Sequence, residues 1–203
     1  MKIAIMGDSR SSYCPGAILW TGYVVQQNPK HKFFFSQDKR TYFTSIINHY
    51  KEVIEESKKG LFDIAILQLG YHESYPWPES FWSFFEDVDP DWKKHITRVP
   101  DFKAGEHTFQ NCYRYSSDDV VKKCLTELRK VCKKLIFISM HYTYEELKEG
   151  ILKSNTLYSS LCDLTITIPL DPEWTEKNCF DHVHYTAAYQ PELAKLVAAN
   201  LYL

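Results

Sequence analysis

The chain has 203 residues, a formal net charge of −2 and 25% charged residues. This length buries a full hydrophobic core and favours a single domain over residues 1–203. The near-balanced charge, with no basic block beyond short lysine pairs, predicts no binding to nucleic acid or to an anionic membrane surface.

The sequence contains neither a secretory signal nor an apolar stretch long enough for a membrane-spanning helix. Its six cysteines are Cys14, Cys112, Cys124, Cys132, Cys162 and Cys179. They are widely spaced, without a CxxC pair or a grouping with histidine that would hold zinc. We therefore expect a cytoplasmic protein with reduced thiols and no metal or other cofactor.

A short apolar segment, residues 2–6, leads directly into Gly7, Asp8 and Ser9. Such a segment ended by glycine is typical of a buried parallel strand, and glycine permits a tight turn after it. Ligands and reacting groups collect at the carboxyl ends of parallel strands. Ser9 is therefore either a nucleophile at that edge or, with Asp8, a cap for the following helix.

The next elements alternate between helix and strand. The pattern predicts a helix over residues 17–27 after Pro15, a strand over 31–36 and a helix over 42–59 ended by Gly60. Residues 62–69 are almost continuously apolar, which predicts a strand at the centre of the sheet.

An aromatic-rich segment, residues 71–115, interrupts this alternation. It contains four prolines and no sustained periodicity, so we expect a lid-like insertion with short helices. Its large rings either form a small core of their own, as we expect for most of them, or line a pocket for a sugar or an acyl group. These rings include Trp77, Trp82, Phe84, Phe85 and Trp92.

The alternation then resumes. Ser116 with Asp119, and Thr143 with Glu146, have the spacing of capping boxes that open two helices. Strands are predicted over residues 135–140 and 164–168, followed by an irregular loop over 169–183 and a final helix over 188–200. The result is an α/β fold, a three-layer α/β/α sandwich around a five-stranded parallel sheet, with an insertion after strand 3.

A serine hydroxyl needs a base to accept its proton, and that base needs a partner that fixes its tautomer. Asp181 and His184 lie three positions apart on the loop after the last strand. Parallel strands bring this loop to the same edge of the sheet as Ser9. The two ends of the sequence therefore supply the parts of a catalytic triad.

The sequence GDS at residues 7–9 and DHVHYT at residues 181–186 resemble the first and last motif blocks of the SGNH, or GDSL, hydrolase family. This resemblance implies a flavodoxin-like α/β fold and an esterase, lipase, carbohydrate deacetylase or acyltransferase activity. It also implies that Ser9 is the nucleophile, His184 the base and Asp181 its orienting partner. We expect the neighbouring His182 to take no part.

The family's oxyanion hole is matched less well. Gly70 stands at the start of the family's Gly-x-Asn-Asp motif, but His72 occupies the asparagine position and Glu73 the aspartate position. His72 is either an oxyanion donor through an N–H in a suitable tautomer, a substrate contact, or a histidine satisfied in a polar cleft. The Ser9 amide and a backbone amide near residues 39–41 are the other expected donors.

Arg10 follows the nucleophile directly. Its guanidinium either holds a carboxylate or phosphate group of a substrate or is a solvated surface side chain.

The expected function is hydrolysis of an O-acyl ester, with a carbohydrate-linked acetyl ester favoured over a lipid, through an acyl-enzyme on Ser9. The partner is then a small-molecule or glycan ester; the sequence gives no oligomeric state. Two alternatives stay open: an acyltransferase with the same triad, and an altered member that binds a glycan or a protein without catalysis.

Overall fold

The computed structural model describes residues 1–12, 14–36, 46–87 and 89–202, without the side chains of residues 12, 48, 72 and 73. The strands are β1 (Lys2–Gly7), β2 (Lys32–Phe35), β3 (Phe62–Gln68), β4 (Trp77–Pro78), β5 (Ile96–Arg98), β6 (Phe102–Ala104), β7 (His107–Phe109), β8 (Cys112–Tyr115), β9 (Cys132–Ile138) and β10 (Leu164–Ile166). The α-helices are α1 (Ser9–Ser12), α2 (Trp20–Gln27), α3 (Ile46–Ser57), α4 (Tyr71–Ser74), α5 (Glu79–Trp82), α6 (Asp119–Arg129), α7 (Lys148–Leu161), α8 (Pro172–Asn178) and α9 (Gln190–Asn200). Of the helix predicted over 42–59, residues 42–45 lie outside the described residues.

The main sheet has five parallel strands in the order β2-β1-β3-β9-β10. This is the flavodoxin-like order, and it confirms the predicted three-layer fold. β3 occupies the middle of the sheet, as its continuous apolar sequence indicated, and all of its residues except Asp63 are buried.

Hydrophobic residues fill both faces of the sheet because side chains alternate along a strand. Ala4 and Met6 of β1 lie in a core with residues of α3 and α6. Ile3 and Ile5 lie in a second core with residues of α2 and α9. The helices on the two faces thus leave the carboxyl edge of the sheet open for a site.

The insertion differs from the prediction, because it contains strands as well as short helices. β4, β8 and β5 form an antiparallel sheet, and β6 and β7 form a hairpin. Strands of two to four residues are too short to show a period-two pattern in the sequence. Trp82, Phe85 and Trp92 are buried in the first core, which confirms the core assignment for these rings.

Both predicted capping boxes are wrong. The Ser116 hydroxyl donates to the carbonyl of His95, and the amide of Asp119 donates instead to the Ser117 hydroxyl at 3.3 Å. The Thr143 hydroxyl pairs with the Tyr75 hydroxyl at 2.7 Å. Tertiary contacts of the insertion therefore use the side chains that the local pattern assigned to caps.

The segment over 169–183 is not wholly irregular, since it contains α8. Asp171 caps this helix by accepting a hydrogen bond from the Glu173 amide at 3.0 Å, and Pro172 occupies its first turn. An aspartate followed by proline is a helix-start signal that the sequence did contain.

All six cysteines are free thiols. Within the described ranges, no helix combines the length and the apolar character needed to cross a membrane.

Candidate active site

Ser9 lies in a tight turn at the carboxyl end of β1, as the first residue of α1. The Asp8 amide donates to the Gln68 carbonyl at 3.0 Å, and the Ser11 amide donates to the Asp8 carbonyl at 3.0 Å. A Cβ atom at Gly7 would lie 2.1 Å from the Ser11 hydroxyl oxygen. Gly7 is therefore required for close approach, and its backbone is not in the left-handed region.

Arg10 lies beneath this turn and has no solvent exposure. Its Nε and Nη2 atoms donate to the Asp8 carboxylate at 2.9 Å and 2.6 Å, and its guanidinium lies 4.4 Å from the centre of the Tyr71 ring. Burial acts to lower the pKa of Arg10, but Asp8 more than offsets this and raises it. Both predicted roles require an exposed guanidinium; Arg10 instead stabilises the turn that carries Ser9.

Asp181 and His184 form the predicted pair. The Asp181 Oδ2 atom lies 2.7 Å from His184 Nδ1, while Oδ1 accepts hydrogen bonds from the amides of Val183 at 3.1 Å and His184 at 2.7 Å. Partial burial acts to raise the pKa of Asp181, but these hydrogen bonds outweigh it and hold the pKa below its ordinary value. The carboxylate therefore stays ionised and orients the His184 ring.

The loop that carries this pair, residues 179–185, is closed by hydrogen bonds at its base. Cys179 and Tyr185 form an isolated antiparallel bridge, and the Phe180 amide donates to the His184 carbonyl at 3.0 Å. His182, at the tip, has a left-handed backbone with φ = 62°. The loop is thus a short, closed turn rather than an open connection.

A buried amide connects this loop to the Ser9 turn. The Gln68 Oε1 atom accepts hydrogen bonds from the Ser11 hydroxyl and from Trp20 Nε1, while Nε2 donates to the Tyr185 hydroxyl at 3.1 Å. Both ends of the sequence are therefore fixed to the end of β3. The sequence analysis missed Gln68, because a polar residue inside an apolar strand has no periodic signal of its own.

A cavity of about 540 Å³ lies beside Ser9 and is also lined by Val183. Ser9 and the loop of residues 179–185 therefore line the same cavity. The opposite wall comes from the insertion and includes Tyr71, Tyr75, Pro76, Trp77, His107, Phe109 and Cys112. The sequence analysis considered Trp77 for a pocket but missed Phe109, which only the β6–β7 hairpin brings there.

The wall from the insertion is a row of packed rings. Tyr75 stacks on Trp77 with ring centres 6.3 Å apart and meets the edge of Phe109 at 6.5 Å. Phe102 stacks on Phe109 from behind at 4.7 Å. The described lining residues include no lysine, arginine, aspartate or glutamate.

Gly70 precedes α4 with φ = 110°, in the region that favours glycine. A Cβ atom there would also lie 3.0 Å from Met140 Cε, the flexible end of that side chain, so the backbone conformation is the main reason for glycine. The His72 side chain and residues 39–41 lie outside what the structure describes. The roles of Gly70, His72 and the Ser9 amide in an oxyanion hole stay predictions.

Scans against models of protein families and a search of curated proteins found no match to this chain. Solved structures do match. An acetylxylan esterase variant from Geobacillus stearothermophilus superposes with a TM-score of 0.60 at 12% identity, covering 100% of this chain and 94% of that chain. The psychrotrophic esterase EstA from Pseudoalteromonas sp., inhibited by monoethylphosphonate, gives a TM-score of 0.59 at 9% identity, covering 99% and 96%.

The Geobacillus variant is described as a catalytic mutant with a histidine replaced by alanine. A second catalytic mutant of that enzyme, with a TM-score of 0.58 at 10% identity over 98% of this chain and 92% of that chain, replaces an aspartate three positions earlier. A third replaces a serine near the start of that enzyme. At such low identity these likenesses establish the fold alone: the chain shares the fold of these two esterases.

Proposed function

We propose that the protein is a serine esterase that cleaves an O-acyl ester through an acyl-enzyme on Ser9, with His184 as the base and Asp181 as its orienting partner. The observation that carries the proposal is the 2.7 Å contact between Asp181 and His184 Nδ1, on a loop that lines the same cavity as Ser9. The spacing of three between the aspartate and histidine of the Geobacillus catalytic mutants supports the same roles here.

The proposed reaction has two steps. The Nδ1–H group of His184 donates a hydrogen bond to Asp181, so Nε2 is the unprotonated nitrogen, and it accepts the Ser9 hydroxyl proton as the oxygen attacks the ester carbonyl. Collapse of the tetrahedral intermediate breaks the bond to the alcohol, which takes the proton from His184. Water then attacks the acyl-enzyme with the same base, releases the acid and restores the Ser9 hydroxyl.

The proposed substrate is an acetyl ester of a neutral alcohol, with a carbohydrate as the favoured alcohol. An acetyl group fills only a small part of a cavity of about 540 Å³, so the larger alcohol group occupies the rest. The ring faces of Tyr75, Trp77 and Phe109 suit the C–H face of a sugar. The acetylxylan esterase neighbours support this choice.

The test is acid release from acetylated xylo-oligosaccharides and from aryl esters of two to eight carbons, with wild type and Ser9→Ala compared. We expect acetate release by wild type, no release by Ser9→Ala, and a rate that falls with acyl length. Transfer of the acetyl group to an added sugar in place of water would identify an acyltransferase. A folded protein that releases no acid and transfers no acyl group would contradict the proposal and favour a binding role.

A further inference from the structure

His141 lies three residues beyond the end of β9 and is completely buried. Its ring lies among other rings, 5.3 Å from that of Tyr185 and 5.7 Å from that of Trp174. This histidine is not among the residues selected from the sequence. Its contacts join the carboxyl edge of the sheet to the loop of residues 179–185.

The Nε2 atom of His141 makes the polar contacts of the ring. It lies 3.1 Å from the His182 carbonyl oxygen, 3.3 Å from Cys179 Sγ and 3.5 Å from the Tyr71 hydroxyl. A carbonyl oxygen only accepts hydrogen bonds, so a hydrogen bond at the 3.1 Å contact requires the tautomer with the proton on Nε2. Burial raises the pKa of the Cys179 thiol to about 12, so the sulfur is an uncharged, weak acceptor and the carbonyl is the better partner.

The ring itself is neutral. Burial, followed by the positive charge of Arg10, lowers the pKa of His141 to about 3. Asp8 and the His182 carbonyl act in the opposite direction without reversing this shift, and His184 adds to it. His141 is therefore a fixed hydrogen-bond donor and not a proton carrier at ordinary pH.

The acceptor of this hydrogen bond is an unusual residue. Together with Asn111, His182 is one of two non-glycine residues in the described part of the chain with positive φ, a conformation that a residue with a Cβ atom adopts at a cost. In the sequence, His182 lies between Asp181 and the residues Val183 and His184, whose amides donate to the Asp181 carboxylate. Such a conformation persists only where its surroundings fix it.

We infer that His141 is a positioning residue, whose Nε2–H···O=C hydrogen bond to His182 fixes the left-handed turn that presents His184 to Ser9. This inference rests on the proposed function for its kinetic consequence, but the position of the loop is measurable without catalysis. If His141 only packed in the core, an apolar side chain of the same size could replace it without an effect on kcat or on the loop.

The test compares His141→Met with His141→Gln, which have side chains of the same length but differ in the donor. We expect His141→Met to lower kcat by about 10-fold to 100-fold with little change in KM, because a small displacement of a catalytic group has an effect of this size. His141→Gln retains an N–H near the position of Nε2 and should recover most of kcat.

Two NMR measurements keep the inference testable without turnover. The His184 Nδ1 proton, bonded to Asp181, should give a slowly exchanging downfield signal in wild type and His141→Gln but not in His141→Met. A long-range ¹H–¹⁵N spectrum of wild type should assign the Nε2–H tautomer to His141, whether or not any variant folds.

An Nδ1–H tautomer at His141 would overturn the inference, as would an unchanged His184 signal or unchanged kcat in folded His141→Met. Equal losses in the Met and Gln variants would also overturn it, since packing would then explain both. If wild type shows no esterase activity, the proposed function fails, while the tautomer and the His184 signal still decide the role of His141.

Discussion

The loop of residues 179–185 and the insertion of residues 71–115 both line the cavity beside Ser9, but different forces hold them. Hydrogen bonds to Asp181, His182 and Tyr185 fix the loop. Packed rings, such as Trp82 stacked on Tyr115 at 5.6 Å, hold much of the insertion. Directional bonds fix a reacting group closely, whereas apolar packing tolerates changes of shape. We therefore expect substitutions in the loop to change mainly kcat, and substitutions in the insertion to change mainly substrate preference and KM.

The largest effect is expected on the loop side. Asp181→Asn removes the carboxylate that fixes the His184 tautomer, so kcat should fall on the order of 1,000-fold to 10,000-fold. The thermal midpoint and KM should change little, because the side chain is 41% exposed and the amide keeps one acceptor oxygen. Steady-state kinetics with an acetyl ester measure this; a loss below about 10-fold would contradict the triad.

The second-largest effect is expected on protein stability, at the turn that carries Ser9. Arg10→Met leaves the Asp8 carboxylate buried without its cation, which should lower the free energy of unfolding by about 3–5 kcal/mol. Urea denaturation measures it. Lys58→Met is the matched control, because the Lys58–Glu55 pair is exposed and its loss should cost less than about 1 kcal/mol. Equal losses in the two variants would show that burial of the Asp8–Arg10 pair is unimportant.

A smaller effect is expected on the insertion side. Trp77→Ala and Phe109→Ala each remove a ring from the cavity wall, so KM for an ester of a cyclic alcohol should rise about 10-fold with kcat largely retained. Phe84→Ala is the control, since Phe84 is 43% exposed and does not line the cavity. A fall in kcat with KM unchanged would contradict this expectation, because the insertion would then act in the catalytic step instead of in substrate binding.

The smallest effect concerns the polar contact that reinforces the insertion. Asp89 Oδ2 accepts hydrogen bonds from the Tyr115 hydroxyl at 2.6 Å and pairs with His95 Nδ1 at 2.5 Å. Burial acts to raise the pKa of Asp89, but these partners outweigh it and hold the pKa below its ordinary value. The ionised group therefore contributes stability above the ordinary carboxyl pKa of about 3.9, and the contribution is lost as pH falls through the lower folded pKa.

Asp89→Asn should accordingly lower the free energy of unfolding by about 1 kcal/mol at neutral pH. The difference between the variant and wild type should shrink below about pH 4. Chemical denaturation across this pH range checks the sign. A difference that grows towards acid pH would contradict it.

The main sheet was predictable from sequence because β1, β3 and the second half of β9 contain short apolar runs, which are typical of a sheet covered on both faces. The position of Ser9 after β1 and the pairing of Asp181 with His184 were predictable from the GDS and DHVHYT sequences. The catalytic roles of these three residues stay predictions. The position of Arg10 was not predictable, because a charged residue is rarely buried and no periodic pattern links it to Asp8. The role of His141 was not predictable either, because its acceptor is the backbone carbonyl of His182. The left-handed conformation of His182 occurs at a non-glycine residue, so the sequence carries no signal for it.

Reaction with a fluorophosphonate probe, followed by intact mass and fragment mapping, tests whether Ser9 is a nucleophile activated by His184. We expect one adduct per chain, located on Ser9, absent in Ser9→Ala and formed far more slowly in His184→Ala. A folded wild-type protein that takes up no probe, or an adduct that persists in Ser9→Ala, would contradict this role of Ser9.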